Sequence, residues 1–574
     1  MRNKFSKLYT ALLTAIFIVS ICAKTNYAQQ LDFDEIKVIA PYEPTISDAF
    51  KTLFNPTLDD TLQIDISFDY SINPLQIPTE FSMDPLSPAR MRGEPLAKLY
   101  NGFVKAGLGN YSTPYGEIFY NSLRSNEYAY GVRLKHLSSG GKIDDYGHSG
   151  YSDNLVGLHA KRFFRNHTFE SDLRYERNMI HYYGFRRGDF LEDEDMLEFI
   201  DQLSNKDIRQ VFHYISPSLS FRSNYLDNAR LQHDLNLRYH YLTDRFDAFE
   251  HHLGFQANLE KDLMEDPLGF ADSQGFQLEA GADYYYNINS IDSLSTGIIK
   301  LLPTLHAGFG DFNFYVGLNT TAQLDTVSHA RFYPVAGARI NLIGDMLQAY
   351  TSLSGGLEKQ NLRQMSTRNP FINTNLPLGF TNTKLELRGG LKGSLSSFAS
   401  YNFSIATSNI DNYPFFVTDN SALLENKFLI VYDNIRLFNF RAELFGNVGE
   451  RFNARFSADY YQYSLENELE PWHEPTLRMG LSLRYNIQDK IILSGEAFAR
   501  NSVYARVFDE VSDNHQGMEI QGFHVDTSLG IEYRYTKILS VFLNLNNVSN
   551  QPLQRWYNYP THGFNLIGGV SYAF

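Results

Sequence analysis

The connections between strands constrain this chain more than any single motif. From Lys98 onward, stretches of alternating polar and apolar residues are joined by tight links at Arg124-Ser125-Asn126, Arg165-Asn166, Leu226-Asp227-Asn228, Gly310-Asp311, Gly344-Asp345, Ser394-Leu395-Ser396, Gly449-Glu450, Gln488-Asp489-Lys490 and Thr536-Lys537. Longer polar links lie between them at 138–153, 185–210, 359–381, 466–475, 508–518 and 551–562. Tight and long links alternate, as an up-and-down barrel requires and a Greek-key sandwich or propeller does not.

The strands themselves carry a period of two. Leu477, Met479, Leu481, Leu483, Tyr485 and Ile487 alternate with Arg478, Ser482, Arg484 and Asn486, and Leu385, Leu387 and Leu391 alternate with Lys384, Glu386, Arg388 and Lys392. Side chains two apart share a face, so each strand offers one apolar row and one charged row. At roughly 20 to 22 residues per strand and connection, the region holds about 22 to 24 strands, an even number if both chain ends lie on one side. The expected fold is all-β, a large antiparallel transmembrane up-and-down β-barrel over 97–574, with Ser290 to Leu301 and Phe415 to Phe428 the hardest stretches to count.

Composition agrees with strands in lipid. Aromatic residues make up 15% of the chain, with 38 Tyr and 44 Phe against 2 Trp, while mean hydropathy is slightly polar. Half of each barrel strand faces water, which reconciles the two. No stretch reaches the roughly 18 uninterrupted apolar residues of a spanning helix. Residues 1–28 read as a secretory signal peptide: Arg2, Lys4 and Lys7 precede the apolar run Ala11 to Ile21, and Ala28 offers the small residue for cleavage. Ile21 before Cys22 is too bulky for a lipid-attachment signal, and cleavage after Ala28 removes the only cysteine, excluding disulfide and thiolate-metal chemistry. A formal charge of -15 makes nucleic acid an unexpected partner.

Residues 29–96 form an extended periplasmic arm, rich in proline and without a sustained period. Within it, Asp34, Glu35, Ile36, Lys37, Val38, Ile39 and Ala40 resemble the short acidic-apolar box by which TonB-dependent receptors recruit their energy-coupling partner, a mobile segment adding a strand to a partner's sheet edge. That family carries a plug domain of well over a hundred residues, and only some fifty separate Ala40 from the first strand, so the resemblance is to the barrel and not to a plug. At the other end Phe564, Leu566, Gly568, Val570, Tyr572 and Phe574 alternate with Asn565, Ile567, Gly569, Ser571 and Ala573. An aromatic last residue behind such a row resembles the closing strand read by the barrel assembly machinery, which assigns Val570, Tyr572 and Phe574 to a C-terminal assembly signal. Leu539 to Asn550, the aromatic-bearing Gln554-Arg555-Trp556-Tyr557 and the final strand together resemble the last hairpin of TonB-dependent receptors.

No enzyme constellation stands out. Gly147-His148-Ser149-Gly150 lacks the full frame of a nucleophile elbow, and His473-Glu474 runs into Pro475 instead of a metalloprotease helix. Asp189, Glu192, Asp193, Glu194 and Asp195 are dense enough to hold calcium but match no ion loop, and Met196 to Leu203 suggests a short helix beside them. No catalytic residue, cofactor or metal is expected. The long connection holding Arg363, Arg368, Asn369, Pro370 and Phe371 is expected to contact a ligand or fold inward. The resemblance implies a bacterial outer-membrane protein acting in transport, with lipid, the assembly machinery, a TonB-like periplasmic protein or an outer-membrane lipoprotein as partners. A structural or assembly member of a complex with an occluded barrel is the alternative, and a barrel hydrolase the third.

Overall fold

The computed structural model describes residues 99–574 apart from 142, 227–229, 264–268, 270, 289–292, 326, 450 and 510–513. The signal segment, the arm and the Asp34 to Ala40 box lie outside the described residues. The remainder closes into one barrel of 22 antiparallel strands, each hydrogen-bonded to its neighbours in sequence, with the first strand, Gly102–Gly109, also paired to the last, Asn565–Ala573. Closure leaves no sheet edge, so every strand finds backbone partners on both sides, the condition for crossing a bilayer as strands.

The period-two reading assigns the faces correctly. Leu481 and Leu483 are 38% and 39% exposed, and Val570, Tyr572 and Phe574 are likewise open on the outer surface, while Ser571 and Ala573 between them are buried. The outer belt between the ends is aliphatic, with Leu158, Leu219, Leu253, Ile299, Val316 and Ile531 all exposed. Near the tight turns it becomes aromatic, at Tyr128, Phe164, Phe398, Tyr485, Tyr535 and Phe574. An apolar band edged by aromatic side chains is the surface of a barrel in lipid, the rings lying at the interface.

The strand order puts the tight links at one end of the barrel and the long ones at the other. The link expected at Ser394-Leu395-Ser396 sits at 397–398, because the strand Phe380–Ser396 runs further than its alternation shows and turns only after a register shift. Most of the connection 508–518 is strand and not loop: it overlaps both arms of a hairpin, Val503–Asp509 with Asn514–Gln521. The 415–428 stretch divides between the two longest strands, Ala399–Thr418 and Phe428–Val448, of 20 and 21 residues. Lipid needs about 9 to 11 residues per strand, so these two continue beyond it into the loop end.

The seam is closed at the tight-turn end by the last residue. Gly102 and Phe574 exchange backbone hydrogen bonds of 2.8 and 2.9 Å. The Phe574 ring lies over Gly102, where a Cβ would come within 2.2 Å of the ring. Only glycine leaves space for the ring there.

Candidate functional site: a roofed lumen

At the loop end the connections 140–150, 182–208, 360–379, 419–427, 466–476 and 547–564 converge over the barrel mouth. The central one, 360–379, carries a short helix, α2 (Leu362–Arg368), and the 182–208 connection carries α1 (Glu194–Gln202). Asn361 caps α2, its side chain accepting from the Gln364 amide at 2.8 Å. Leu362 and Met365 fall on one face, three apart, and both are buried against Phe212, Leu242 and Ala248 of the wall and Phe416, Phe428, Trp556 and Tyr559 of the roof. The expectation that 359–381 folds inward is met.

The barrel wall supplies the anchor. Glu250, fully buried, accepts from the Leu362 and Arg363 amides at 2.7 and 3.2 Å, from His240 Nε2 at 2.9 Å and from Asn287 Nδ2 at 2.6 Å. The first-turn amides of a helix have no partner within it, and a carboxylate there satisfies them and opposes the positive end of the helix dipole. One residue on, Arg363 pairs with Glu176 at 2.6 Å and lies over the Tyr214 ring. At the other end of α2, Arg368 reaches Glu474 at 3.0 Å, and Arg478 binds the second oxygen of that carboxylate. Burial favours the neutral form of Glu474, but Arg478, Arg368 and Arg555 outweigh it and hold the carboxyl below its usual range.

Aromatic contacts and backbone hydrogen bonds lock the remaining loops. Phe371 stacks on Tyr559 with centroids 3.7 Å apart. Tyr182 donates to the Ile372 carbonyl at 2.8 Å, Asn426 to the Tyr182 carbonyl at 2.7 Å, Tyr183 to the Pro560 carbonyl at 2.9 Å and Tyr559 to the Asn426 carbonyl. His473 donates through Nδ1 to the Phe416 carbonyl and accepts the Tyr557 amide on Nε2; burial pushes it down to about 4, so it is neutral at physiological pH. Both tryptophans of the chain, Trp472 and Trp556, are buried in this roof.

Beside α2 is a cavity of about 560 Å³, bounded by Ile143, Ser149, Phe371 and His562 from the loops and by Asp153, His181, Asp526 and Asn565 from the strands. Asp526 and Asn565 each leave a buried Oδ1 without a hydrogen-bond partner. The cavity therefore offers acceptors to a solute that carries donors. Ser149 and His562 approach to 3.2 Å, yet the Ser149 hydroxyl donates to the Gly141 carbonyl and is buried, the arrangement of a loop brace and not of an activated nucleophile.

The acidic segment 189–195 is accounted for by local structure. Asp193 caps α1 by accepting the Met196 amide at 3.0 Å, Asp189 pairs with Arg186, and Glu192, Glu194 and Asp195 are exposed. Reading the sequence missed Glu250 and Glu176, which look like ordinary inward charges on their strands, and set aside His473-Glu474 as a failed metal motif. The two tryptophans, both in long connections, were the available signal for the roof.

No family model matches the sequence, and no curated protein does. Solved structures match in fold. The pyoverdine outer membrane receptor FpvA from Pseudomonas aeruginosa, bound to pyoverdine, is 12% identical with a TM-score of 0.61, over 84% of this chain and 79% of that one. The FrpB iron transporter from Neisseria meningitidis is 10% identical with a TM-score of 0.62, over 83% and 82%. The siderophore receptor PirA from Acinetobacter baumannii is 9% identical with a TM-score of 0.61, over 84% and 81%. In fold, the chain is a TonB-dependent-receptor-like transmembrane β-barrel.

Proposed function

We propose that the protein acts in transport across the bacterial outer membrane, admitting a solute through the loop end into the cavity beside α2. The carrying observation is the roof: it is built from loops anchored on wall carboxylates, so it can open without breaking the barrel, and a cavity lies beside α2 between its loops and the strands. The likeness to receptors and transporters of iron carriers supports the same reading. Asp34, Glu35, Ile36, Lys37, Val38, Ile39 and Ala40 dock on a TonB-like periplasmic protein by strand addition. Val570, Tyr572 and Phe574 are read by the barrel assembly machinery, the outer belt meets lipid, and an outer-membrane lipoprotein is the alternative partner to the TonB-like protein. The chain is not an enzyme in this reading.

Replacing Ile36 by proline tests it, since proline removes a backbone donor and blocks strand addition. Uptake by cells should stop while the barrel stays inserted; uptake at the normal rate would remove the energy-coupled reading. One observation favours the alternative of an occluded, structural barrel, namely the depth to which the roof is buried. Retention of the protein in a stable outer-membrane complex, with no uptake defect in a deletion strain, would establish that alternative.

A further inference from the structure

Around Glu474 the protein gathers four guanidinium groups. Arg368 and Arg478 hold the carboxylate directly. Arg500 stands beside Arg478 in the cross-strand register and donates to the Gln554 carbonyl at 2.7 Å and to Gln521 Oε1 at 3.3 Å. Arg555, the residue after Gln554, lies over the Trp556 ring at 4.9 Å and is exposed. Among the described residues, neither Arg500 nor Arg555 has a carboxylate at ion-pair distance; the charges acting on both include Glu474 and the neighbouring arginines.

Two donors without partners sit on residues that face each other across adjacent strands. His524 is opposite Arg500 in the register. Gln521 has its oxygen committed to Arg500 and the Gln554 amide, so its Nε2 donates to His524 Nδ1 at 3.3 Å, which puts the imidazole proton on Nε2. That Nε2 has no partner, nor does Arg500 Nε, and the two side chains are 2% and 3% exposed. A water molecule would satisfy both donors and leave the charge. Asp526 is the next inward residue after His524, and even with it the guanidinium groups outnumber the carboxylates. Arg500 is the buried member of the group, and a like charge held away from bulk water beside Arg478 is repelled strongly unless a counter-charge joins it.

We propose that this cluster is an anion-binding site at the loop end, taking a small solute with two or more carboxylate or phosphate groups, which meets the open Arg555 first and is then held by the free donors of Arg500 and His524. The site adjoins the acceptor-lined cavity at Asp526 and does not depend on energy coupling.

Titration calorimetry of the full chain in detergent at low salt, with citrate and with inorganic phosphate, tests this. Citrate should bind, more tightly than phosphate; Arg555→Gln should weaken it by about tenfold or more, the loss of one charged hydrogen bond, and Arg555→Lys should keep most of the affinity. Arg500→Met should abolish binding, and because that buried change can disturb the roof, the exposed Arg555 variants carry the decision, with heat-modifiable migration as the check on the barrel. No binding of either anion at millimolar concentration, or equal binding by Arg555→Gln and the unaltered protein, overturns the proposal. Either result leaves the transport reading where it stands.

Discussion

Glu250 makes the sharpest test of the roof. Its carboxylate receives four donors, two of them the Leu362 and Arg363 amides that begin α2. Changing Glu250 to alanine leaves those amides with no acceptor from the wall, and hydrogen bonds to a charged group contribute roughly 1.5 to 3 kcal/mol each. The two are not additive, and about 3 kcal/mol is a reasonable loss for the docked loop. That corresponds to an increase on the order of a hundredfold in the fraction of time the loop is undocked. Native-state hydrogen exchange reads it directly: the Leu362 and Arg363 amides lie in the first turn, where no intrahelical acceptor exists, so their protection reports the Glu250 contact. Exchange there should accelerate about a hundredfold, while amides in the strand Leu477–Ile487 stay unchanged. Glu250→Gln, which keeps one acceptor oxygen, should fall between. Unchanged exchange at 362 and 363 in the alanine variant would refute the anchor and with it the idea of a hinged roof.

Other outcomes follow from the same geometry. His473 is neutral in the folded roof at about 4 against 6.5 for a free imidazole, so the unfolded segment binds the extra proton first. Its contribution is complete above about pH 6.5 and is lost as pH falls toward 4, by about 3 kcal/mol. Fluorescence of Trp472 and Trp556 should report loosening across that window, and a His473→Gln variant that showed the same transition would dismiss histidine as its cause. Leu481→Arg or Leu483→Arg should destabilise the barrel by about 2 to 4 kcal/mol near the bilayer midplane, with Arg484→Gln tolerated; equal urea midpoints in lipid would mean the faces are wrong. Removing Phe574, or replacing it with Asp, should reduce the inserted fraction far more than deleting part of Phe508 to Met518, as measured by heat-modifiable migration of membrane fractions.

The barrel was legible because its evidence is local. A period of two, a Gly-Asp or Asn-bearing turn and an aromatic last residue each need only a few neighbouring positions, and each strand repeats the test. The hairpin 503–521 was equally legible in principle, since Val503, Ala505 and Val507 alternate with Tyr504 and Arg506; the polar residues at its tip drew the whole segment into a loop. The roof was not legible. Its contacts join residues far apart in sequence, Glu250 to Leu362 over 112 positions, Asn426 to Tyr559 over 133 and Tyr182 to Ile372 over 190. Nothing near Glu250 distinguishes it from Glu260 on the same strand except the loop that lands on it.

The ring of Phe574 over Gly102 has a bearing on how the protein is made. The first strand is synthesised hundreds of residues before its partner, and the seam forms only once Asn565–Ala573 has been made. Throughout that interval both terminal strands carry unpaired backbone edges, the feature that drives association with any other extended chain. Ring closure over so long a span is also slow, because the entropy of bringing the ends together is lost before a single seam contact forms. A chain of this design keeps two strand edges open until its seam forms, so those edges need shielding from other extended chains until Asn565–Ala573 reaches Gly102–Gly109.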